Sequence, residues 1–284
     1  MKALFPFACL FLPFAFTSLL QAGDWPTYRH DNRRSGVTSE ELTLPLTRSW
    51  VYQSPIPPRT AWTGPAKWDA YSGNDGLQSL RNFDPAFFVT CVGDQVCFGS
   101  SVDNAVHCLS AETGKPIWTA FTGAPVRLPP TLHDGRAYAG SDDGKVYCFD
   151  GSTGDVVWEK RAAPTERLIP NDGHLISPWP VRTGVLIQNG RAYFAASLMP
   201  WQTSYLYAAD PATGQHDGEG LYQRQKEGVT LQGALLASKT QLYVPQGRAA
   251  PLAFSLKEGA MSGFIKEAGG VFCILTEDDQ LLSG

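Results

Sequence analysis

The feature that most constrains this chain is a repeat of about 40 residues. CLSAETGKPIW (108–118) and CFDGSTGDVVW (148–158) share a cysteine, a Thr-Gly pair and a tryptophan at the same spacing. Upstream of these segments, VGDQVCFGSS (92–101) matches DGRAYAGSDD (134–143). A unit of this length cannot bury an apolar face alone, so neighbouring copies must stack against one another.

Weaker copies follow the two strong ones. AADPATGQHDG (208–218) keeps Asp210 and Thr213-Gly214 but has Gly218 in the place of the tryptophan. AFSLKEGAMSG (253–263) is more degenerate, and GVFCILTEDDQLLSG (270–284) resembles only the first two strands of a unit. The sequence therefore predicts an array of four units and the start of a fifth.

The second copy carries the local signals of four short strands. Asp134-Gly135 and Asp143-Gly144 are hairpin-turn pairs that bound the strand segments RAYAGS and KVYCFD. Asp150 and Gly154 supply the Asx-turn and the positive φ of a third turn, which leads into VVWEK. Four antiparallel strands in each unit predict an all-β protein, a β-propeller that is incomplete. Its blades are expected at 84–122, 125–161, 179–220, 229–266 and, in part, 269–284.

The pattern AxDxxTGxxxW resembles the tryptophan-docking motif of pyrroloquinoline quinone (PQQ) repeat propellers, in the quinoprotein alcohol dehydrogenase-like superfamily. The resemblance implies that the tryptophan of one blade packs against the Thr-Gly turn of its neighbour. WPTYRHDNRRSG (25–36), followed by LTRSW, is similar to the opening of exported bacterial members. The positions that match the motif are Thr113, Gly114 and Trp118; Asp150, Thr153, Gly154 and Trp158; and Asp210, Thr213 and Gly214.

Residues 1–22 have the pattern of a cleaved signal peptide: Lys2, a long apolar run and Ala22 before a polar segment. A membrane anchor is the alternative, and no other segment has the roughly 18 apolar residues of a spanning helix. We expect an exported protein, periplasmic or secreted, with an N-terminal segment and insertion at 23–83 before the propeller at 84–284. Related propellers usually have eight blades, so we expect a truncated product that needs further C-terminal blades to close.

Composition excludes several classes of function. The net charge of −4 is made of interspersed acids and bases, which argues against nucleic acid as a partner. Neither the cysteines nor the histidines have the spacing of metal ligands. We predict that most of the cysteines are small, buried hydrophobic side chains. Asp142-Asp143-Gly144 is interpreted as a hairpin turn. No catalytic residue and no metal ligand is assigned.

One constellation could bind a ligand at the mouth of the central channel. Pro125-Val126-Arg127 recurs as Pro180-Val181-Arg182, which places both arginines at the start of innermost strands, and Gln232 takes that place in the fourth unit. Two guanidinium groups can grip a small anionic ligand, or they can pair with nearby acids and close the channel. Trp179 and His174 lie in an insertion that could overhang the same mouth.

Three functions remain open. The first is a non-catalytic scaffold that binds other proteins or an anionic ligand. The second is a PQQ- and calcium-dependent dehydrogenase that oxidises alcohols or sugars, as the resemblance allows. The third is a glycan-binding module that uses Trp62, Trp68 and Trp179.

Overall fold

A computed structural model of the chain describes residues 23–58, 86–171, 173–246, 249–266, 268 and 273–283, together with the strand pair at 68–69 and 74–75. The predicted signal peptide and Trp62 lie outside the described residues, and the side chain of Trp68 does too. Within the described ranges the regular secondary structure is β strand, without a helix. The all-β prediction is therefore confirmed.

The strands form four consecutive antiparallel blades of four strands each, followed by a two-stranded start of a fifth. A short pair, β1 (Trp68–Asp69) and β2 (Asn74–Asp75), precedes them. The first blade is β3 (Val89–Val92), β4 (Gln95–Ser100), β5 (Ala105–Ser110) and β6 (Pro116–Phe121); the second is β7 (Thr131–His133), β8 (Arg136–Gly140), β9 (Lys145–Asp150) and β10 (Val156–Arg161). A hairpin of β11 (Ile169–Asn171) and β12 (His174–Ile176) separates the second blade from the third.

The third blade is β13 (Leu186–Gln188), β14 (Arg191–Ala196), β15 (Ser204–Ala209) and β16 (Tyr222–Lys226), and the fourth is β17 (Leu236–Ala237), β18 (Gln241–Gln246), β19 (Ala249–Ser255) and β20 (Met261–Phe264). The last pair is β21 (Cys273–Leu275) and β22 (Leu281–Ser283). In every blade the strands pair in sequence order, so the first strand is innermost and the fourth is outermost. This is the incomplete propeller that the repeat predicts.

The antiparallel order gives the array two different ends. At the turn end, the third strand of each blade turns into the fourth, at residues 111–114, 151–154, 211–214 and 256–259. At the crossover end, the chain leaves the outermost strand of one blade and enters the innermost strand of the next, through residues 122–130, 162–185 and 227–235. The turns between the second and third strands also lie at the crossover end.

The core is a series of interfaces between adjacent blades. In β9, Val146 and Cys148 pack toward the third blade, whereas Tyr147 and Phe149 pack toward the first. Successive side chains of a strand point to opposite faces, so a strand inside the array is buried on both faces. This explains why KVYCFD is an almost continuous apolar run.

Residues 25–36 form a hub that lies along the innermost strands. Its backbone and the side chain of Asn32 bond in turn to β3, β7, β13, β17 and the start of the fifth blade: Trp25 with Cys91 (2.6 and 2.8 Å), Leu132 N to Pro26 O (2.7 Å), Asn32 Nδ2 to Ile187 O (2.8 Å), Ala237 N to Asn32 O (2.8 Å) and Leu275 N to Arg33 O (2.9 Å). These bonds satisfy backbone groups at the inner edges of the blades, which would otherwise lack partners.

Arg34 fixes the shape of the hub. Its buried guanidinium donates to the carbonyl of Leu235 (2.8 Å), just before β17, and to Thr27 Oγ1 (2.8 Å) and the carbonyls of Tyr28 and Asp31 in the hub itself. Burial lowers the pKa of Arg34 to about 10, a fall that the charge of Asp31 opposes. The group stays charged at neutral pH, so the hub contains a permanently charged centre surrounded by acceptors.

Candidate functional site

At the turn end, tryptophans contact the turns of the following blades. Trp118 Nε1 donates to the carbonyl of Gly151 (2.8 Å), and Trp158 Nε1 donates to the carbonyl of Pro211 (3.0 Å). A β-carbon on Gly154 would lie 2.8 Å from the Trp118 ring, and one on Gly214 would lie 2.8 Å from the Trp158 ring. Side chains larger than hydrogen are therefore excluded at both glycines.

The polar residues of the repeat shape these turns. Asp150 accepts the backbone N–H groups of Ser152 and Thr153 at 2.9 and 3.1 Å, and Asp210 does the same for the corresponding residues of the third blade. Hydrogen bonds from Ser152 lower the pKa of Asp150. In the first blade Ser110 takes this place and accepts from Thr113 N (3.2 Å).

Two further aromatic residues occupy the same position, and the repeat did not reveal either. Trp50 Nε1 donates to the carbonyl of Ala111 (2.7 Å) and its ring covers Gly114, so the segment before the first blade acts as a blade would. In the third repeat, Gly218 is not the residue in the tryptophan place. Tyr222 pairs with Ala208 as Trp158 pairs with Cys148, and its ring lies against Gly259. A longer turn shifted the position in sequence and hid the match.

At the crossover end, Arg127 and Arg182 meet on one carboxylate. Arg127 Nε donates to Asp142 Oδ2 (2.7 Å), and Arg182 donates to both oxygens through Nε and Nη2 (2.8 Å each). Arg182 and Asp142 are each about 1% exposed. Burial alone would raise the pKa of Asp142, but the charges and hydrogen bonds of Arg182 and Arg127 lower it below its usual value. We call these three residues the ionic cluster.

The interpretation of Asp142-Asp143 as turn chemistry was right for one residue only. Asp143 caps its turn by accepting Lys145 N (2.8 Å) and also accepts Gly123 N (2.9 Å) and the hydroxyl of Tyr147. Asp142, in contrast, is a buried counterion for arginines from two crossovers. Sequence reasoning missed it because a carboxylate beside an Asp-Gly turn has an adequate local explanation.

The other predicted site residues also lie at the crossover end. Trp179 is partly buried and donates to the carbonyl of Thr203 (2.8 Å), and Gln232 donates to the carbonyl of Leu198 (3.2 Å). His174 lies in β12 of the inserted hairpin. Trp179 and Gln232 thus hold the crossovers against the β14–β15 turn.

The inserted hairpin and the β14–β15 turn carry exposed apolar side chains at this end. Ile169 and Ile176 pack with Leu198 and Met199 of the β14–β15 turn, which anchors the hairpin to the third blade. Leu168 and Leu175 remain 48% and 58% exposed, and Trp201, at the tip of the same turn, is 70% exposed. We call Leu168, Leu175 and Trp201 the apolar surface. Large exposed apolar groups on anchored loops are typical of protein contact sites.

The comparisons with known proteins agree with this architecture. The family model described as outer membrane protein assembly factor BamB matches residues 61–261. The chain belongs to this family. The resemblance to PQQ-repeat propellers is thereby confirmed. No curated protein sequence matches the chain.

Solved structures share the BamB-like fold at low identity. BamB from Moraxella catarrhalis is 18% identical with a TM-score of 0.50, over 76% of this chain and 68% of that chain. Quinohemoprotein alcohol dehydrogenase from Comamonas testosteroni is 14% identical with a TM-score of 0.56, over 91% of this chain and 45% of that one. A europium-containing methanol dehydrogenase is 11% identical with a TM-score of 0.53, over 90% of this chain and 52% of that one. Likeness at these identities establishes the fold alone.

The described residues of this BamB family member contain no cluster of carboxylates that would suit the calcium of a PQQ site. Calcium takes six to eight oxygen ligands, with carboxylates prominent among them. In the described part of the chain, three or more His, Cys, Asp or Glu side chains nowhere converge into a metal-binding group. Asp142 is buried at the crossover end, but both of its oxygens already accept hydrogen bonds from arginine. Nor does any helix of the described residues have the length and apolar character to cross a membrane.

Proposed function

We propose that the chain is an exported scaffold that binds another protein through its crossover end. The observation that carries the proposal is the apolar surface: Leu168, Leu175 and Trp201 are exposed on loops that are themselves anchored. Aromatic anchors on rigid supports lose little conformational entropy on binding and are frequent hot spots. A partner with an apolar segment matches this chemistry.

The ionic cluster supports the same assignment by holding the loops in place. Arg127 belongs to the first crossover, Arg182 to the second and Asp142 to the turn between them, so one carboxylate joins three segments of the crossover end. The family description, an assembly factor for outer membrane proteins, supports a protein partner and an exported location. We infer that the recognised partner belongs to such an assembly process.

Binding of a small anion by Arg127 and Arg182 stays a prediction. Pairing with Asp142 favours the structural alternative, although Nη1 of Arg182 is buried without a hydrogen-bond partner among the described residues. The glycan-binding alternative also stays a prediction, since Trp62 and the side chain of Trp68 lie outside the described residues.

Photo-crosslinking tests the proposed function. A crosslinking amino acid is placed singly at Leu168, Leu175 or Trp201 in the full chain, expressed in its native compartment. Matched controls carry it at Ile117 or Val156, which are also exposed apolar residues but lie at the turn end. We expect one protein to be crosslinked from the apolar surface and not from the controls. Equal crosslinking from both ends, or none from the apolar surface, would refute the proposal.

A ligand titration separates the scaffold from the dehydrogenase. The purified chain is mixed with PQQ and calcium, and absorbance and dye-linked alcohol oxidation are recorded. We expect neither stoichiometric binding nor turnover. Stoichiometric PQQ binding with turnover would replace the scaffold proposal by the enzymatic one.

A further inference from the structure

The first blade contains a pair of buried cysteines in direct cross-strand register. Cys97 in β4 lies opposite Cys108 in β5, and both residues are 0% exposed. Both thiols are free in the structure. They pack in the interface with the second blade, near Trp118, Ala137 and Phe149.

The register places the two thiols at a position where side chains come close. Ala111 N donates to the carbonyl of Asp94 (2.8 Å), which marks that pair as hydrogen-bonded in the β4–β5 ladder. Hydrogen-bonded and non-hydrogen-bonded pairs alternate along an antiparallel ladder, so Cys97 and Cys108 form a non-hydrogen-bonded pair. The Cα atoms of such pairs are about 4.5 Å apart, within the range of about 4.4–6.8 Å that a disulfide spans.

The directions of the two thiol pKa shifts agree with side chains that lie close together. A hydrogen bond with Cys108 raises the pKa of Cys97 well above its usual value, and burial adds to the increase. The same hydrogen bond lowers the pKa of Cys108. These opposite shifts support the proximity that the strand register gives.

Other blades place a tyrosine where Cys97 stands. Tyr138 faces Cys148, Tyr193 faces Ala208, and in the fourth blade a tyrosine again faces an alanine. The hydroxyls of Tyr138 and Tyr193 reach carbonyls of the following blades at 3.1 and 3.2 Å. In the first blade Gln95 Nε2 makes the equivalent contact, to the carbonyl of Gly151 (2.6 Å). Cys97 is too short to reach a carbonyl of the next blade as the tyrosines do, and it faces the thiol of Cys108 instead.

We propose that Cys97 and Cys108 form a cross-strand disulfide when the chain folds in the presence of a small disulfide oxidant. One cysteine thiolate attacks the oxidant RSSR and releases RS⁻, forming a mixed disulfide. The second thiolate attacks the protein sulfur of that mixed disulfide and releases the second RS⁻. Two protons and two electrons pass from the cysteines to the oxidant, which leaves as two RSH. Because both sulfurs are buried in the folded blade, the exchange takes place before β4 and β5 are covered.

Thiol counting and peptide mapping test this site. The full chain is refolded with oxidised and reduced glutathione, then denatured in the presence of a maleimide that labels free thiols. Mass spectrometry counts the labels. We expect two fewer labelled cysteines than in a sample refolded with reductant. Chymotryptic cleavage after Phe98 separates the two cysteines in sequence, so a disulfide is seen as two linked peptides. We also expect a rise in Tm of about 5–10 °C relative to the reduced chain.

Matched variants identify the pair. Cys148→Ser removes a buried cysteine at the position in the second blade that corresponds to Cys108, and it should leave the linked peptides unchanged. Cys97→Ala should abolish them, with circular dichroism checking that this variant folds. Full labelling of the oxidatively refolded wild-type chain, or linkage through Cys91, Cys148 or Cys273, would overturn the proposal.

Discussion

The two ends of the blade array are built in opposite ways. At the turn end the same contact recurs, because Trp118 and Trp158 each donate to a turn carbonyl and cover a glycine of the next blade. At the crossover end the described junctions differ: the first and second supply Arg127 and Arg182 to the ionic cluster, and the second also carries an inserted hairpin with exposed apolar residues. The repeated end is suited to holding blades in register, whereas the varied end is suited to individual recognition.

Removal of Asp142 should give the largest effect on this contrast. Asp142→Ala leaves two buried guanidinium groups without their counterion, and loss of one partner from a buried ion pair costs about 3–5 kcal/mol. Urea unfolding followed by circular dichroism measures the change. The control is Asp150→Ala at the exposed turn, for which we expect a much smaller loss, because its carboxylate only caps backbone N–H groups of a surface turn.

A triple variant tests whether Asp142→Ala destabilises the chain because it leaves the arginine charges unpaired or because it removes packing. Asp142→Ala combined with Arg127→Met and Arg182→Met removes all three charges and should recover most of the lost stability. If Asp142→Ala alone costs less than about 1 kcal/mol, the ionic cluster does not hold the crossover end together.

Acid should weaken the crossover end without any mutation. The folded pKa of Asp142 is lowered, so its contribution to stability is fully present above the unfolded pKa of about 3.9 and is lost as pH falls toward the folded value. Wild type should therefore lose more stability than Asp142→Asn between about pH 4 and pH 2. The free energy of unfolding is measured against pH for both proteins, and the difference between them isolates Asp142 from the other carboxylates. The same pH dependence in both would contradict the assignment of Asp142 as the paired anion.

At the turn end, two glycines of the same blade separate backbone strain from packing. Gly135 and Gly154 have φ of 69° and 78°, but a β-carbon on Gly135 meets nothing within 4 Å, whereas one on Gly154 lies 2.8 Å from the Trp118 ring. Gly135→Ala should cost about 1 kcal/mol through strain alone. Gly154→Ala should cost about 1–2 kcal/mol more through overpacking. Thermal or urea unfolding of both variants measures the difference, and equal costs would show that the tryptophan contact contributes little.

The difference between the ends also decides what could be read from sequence. Strand positions and hairpin turns were predictable because they follow from local spacing that recurs, and the packing of a tryptophan on the Thr-Gly turn of the next blade was implied by the resemblance to PQQ-repeat propellers. For the ionic cluster, the repeated Pro-Val-Arg pattern indicated the two arginines and pairing with acids was one alternative, but Asp142 was not identified, since it lies 15 and 40 residues from them in sequence. Residues 25–36 were noted in the sequence only for their similarity to other members. Their role as a hub could not be predicted, because the bonds to five inner strands join chain segments that are far apart in sequence. Long-range contacts that occur only once are therefore the part of the candidate site that the repeat could not predict.

The smallest effect on stability is expected at the apolar surface. Trp201 is 70% exposed, so Trp201→Ser should change the free energy of unfolding by no more than about 0.5 kcal/mol. If Trp201 is an anchor for a protein partner, the same change should weaken binding by about 2 kcal/mol, or roughly 30-fold. Urea unfolding and the affinity for the crosslinked partner measure the two quantities, with Val156→Ser as the exposed control at the turn end. A stability loss as large as that of Asp142→Ala would mean that Trp201 supports the fold, and the varied end would then lack its recognition residue.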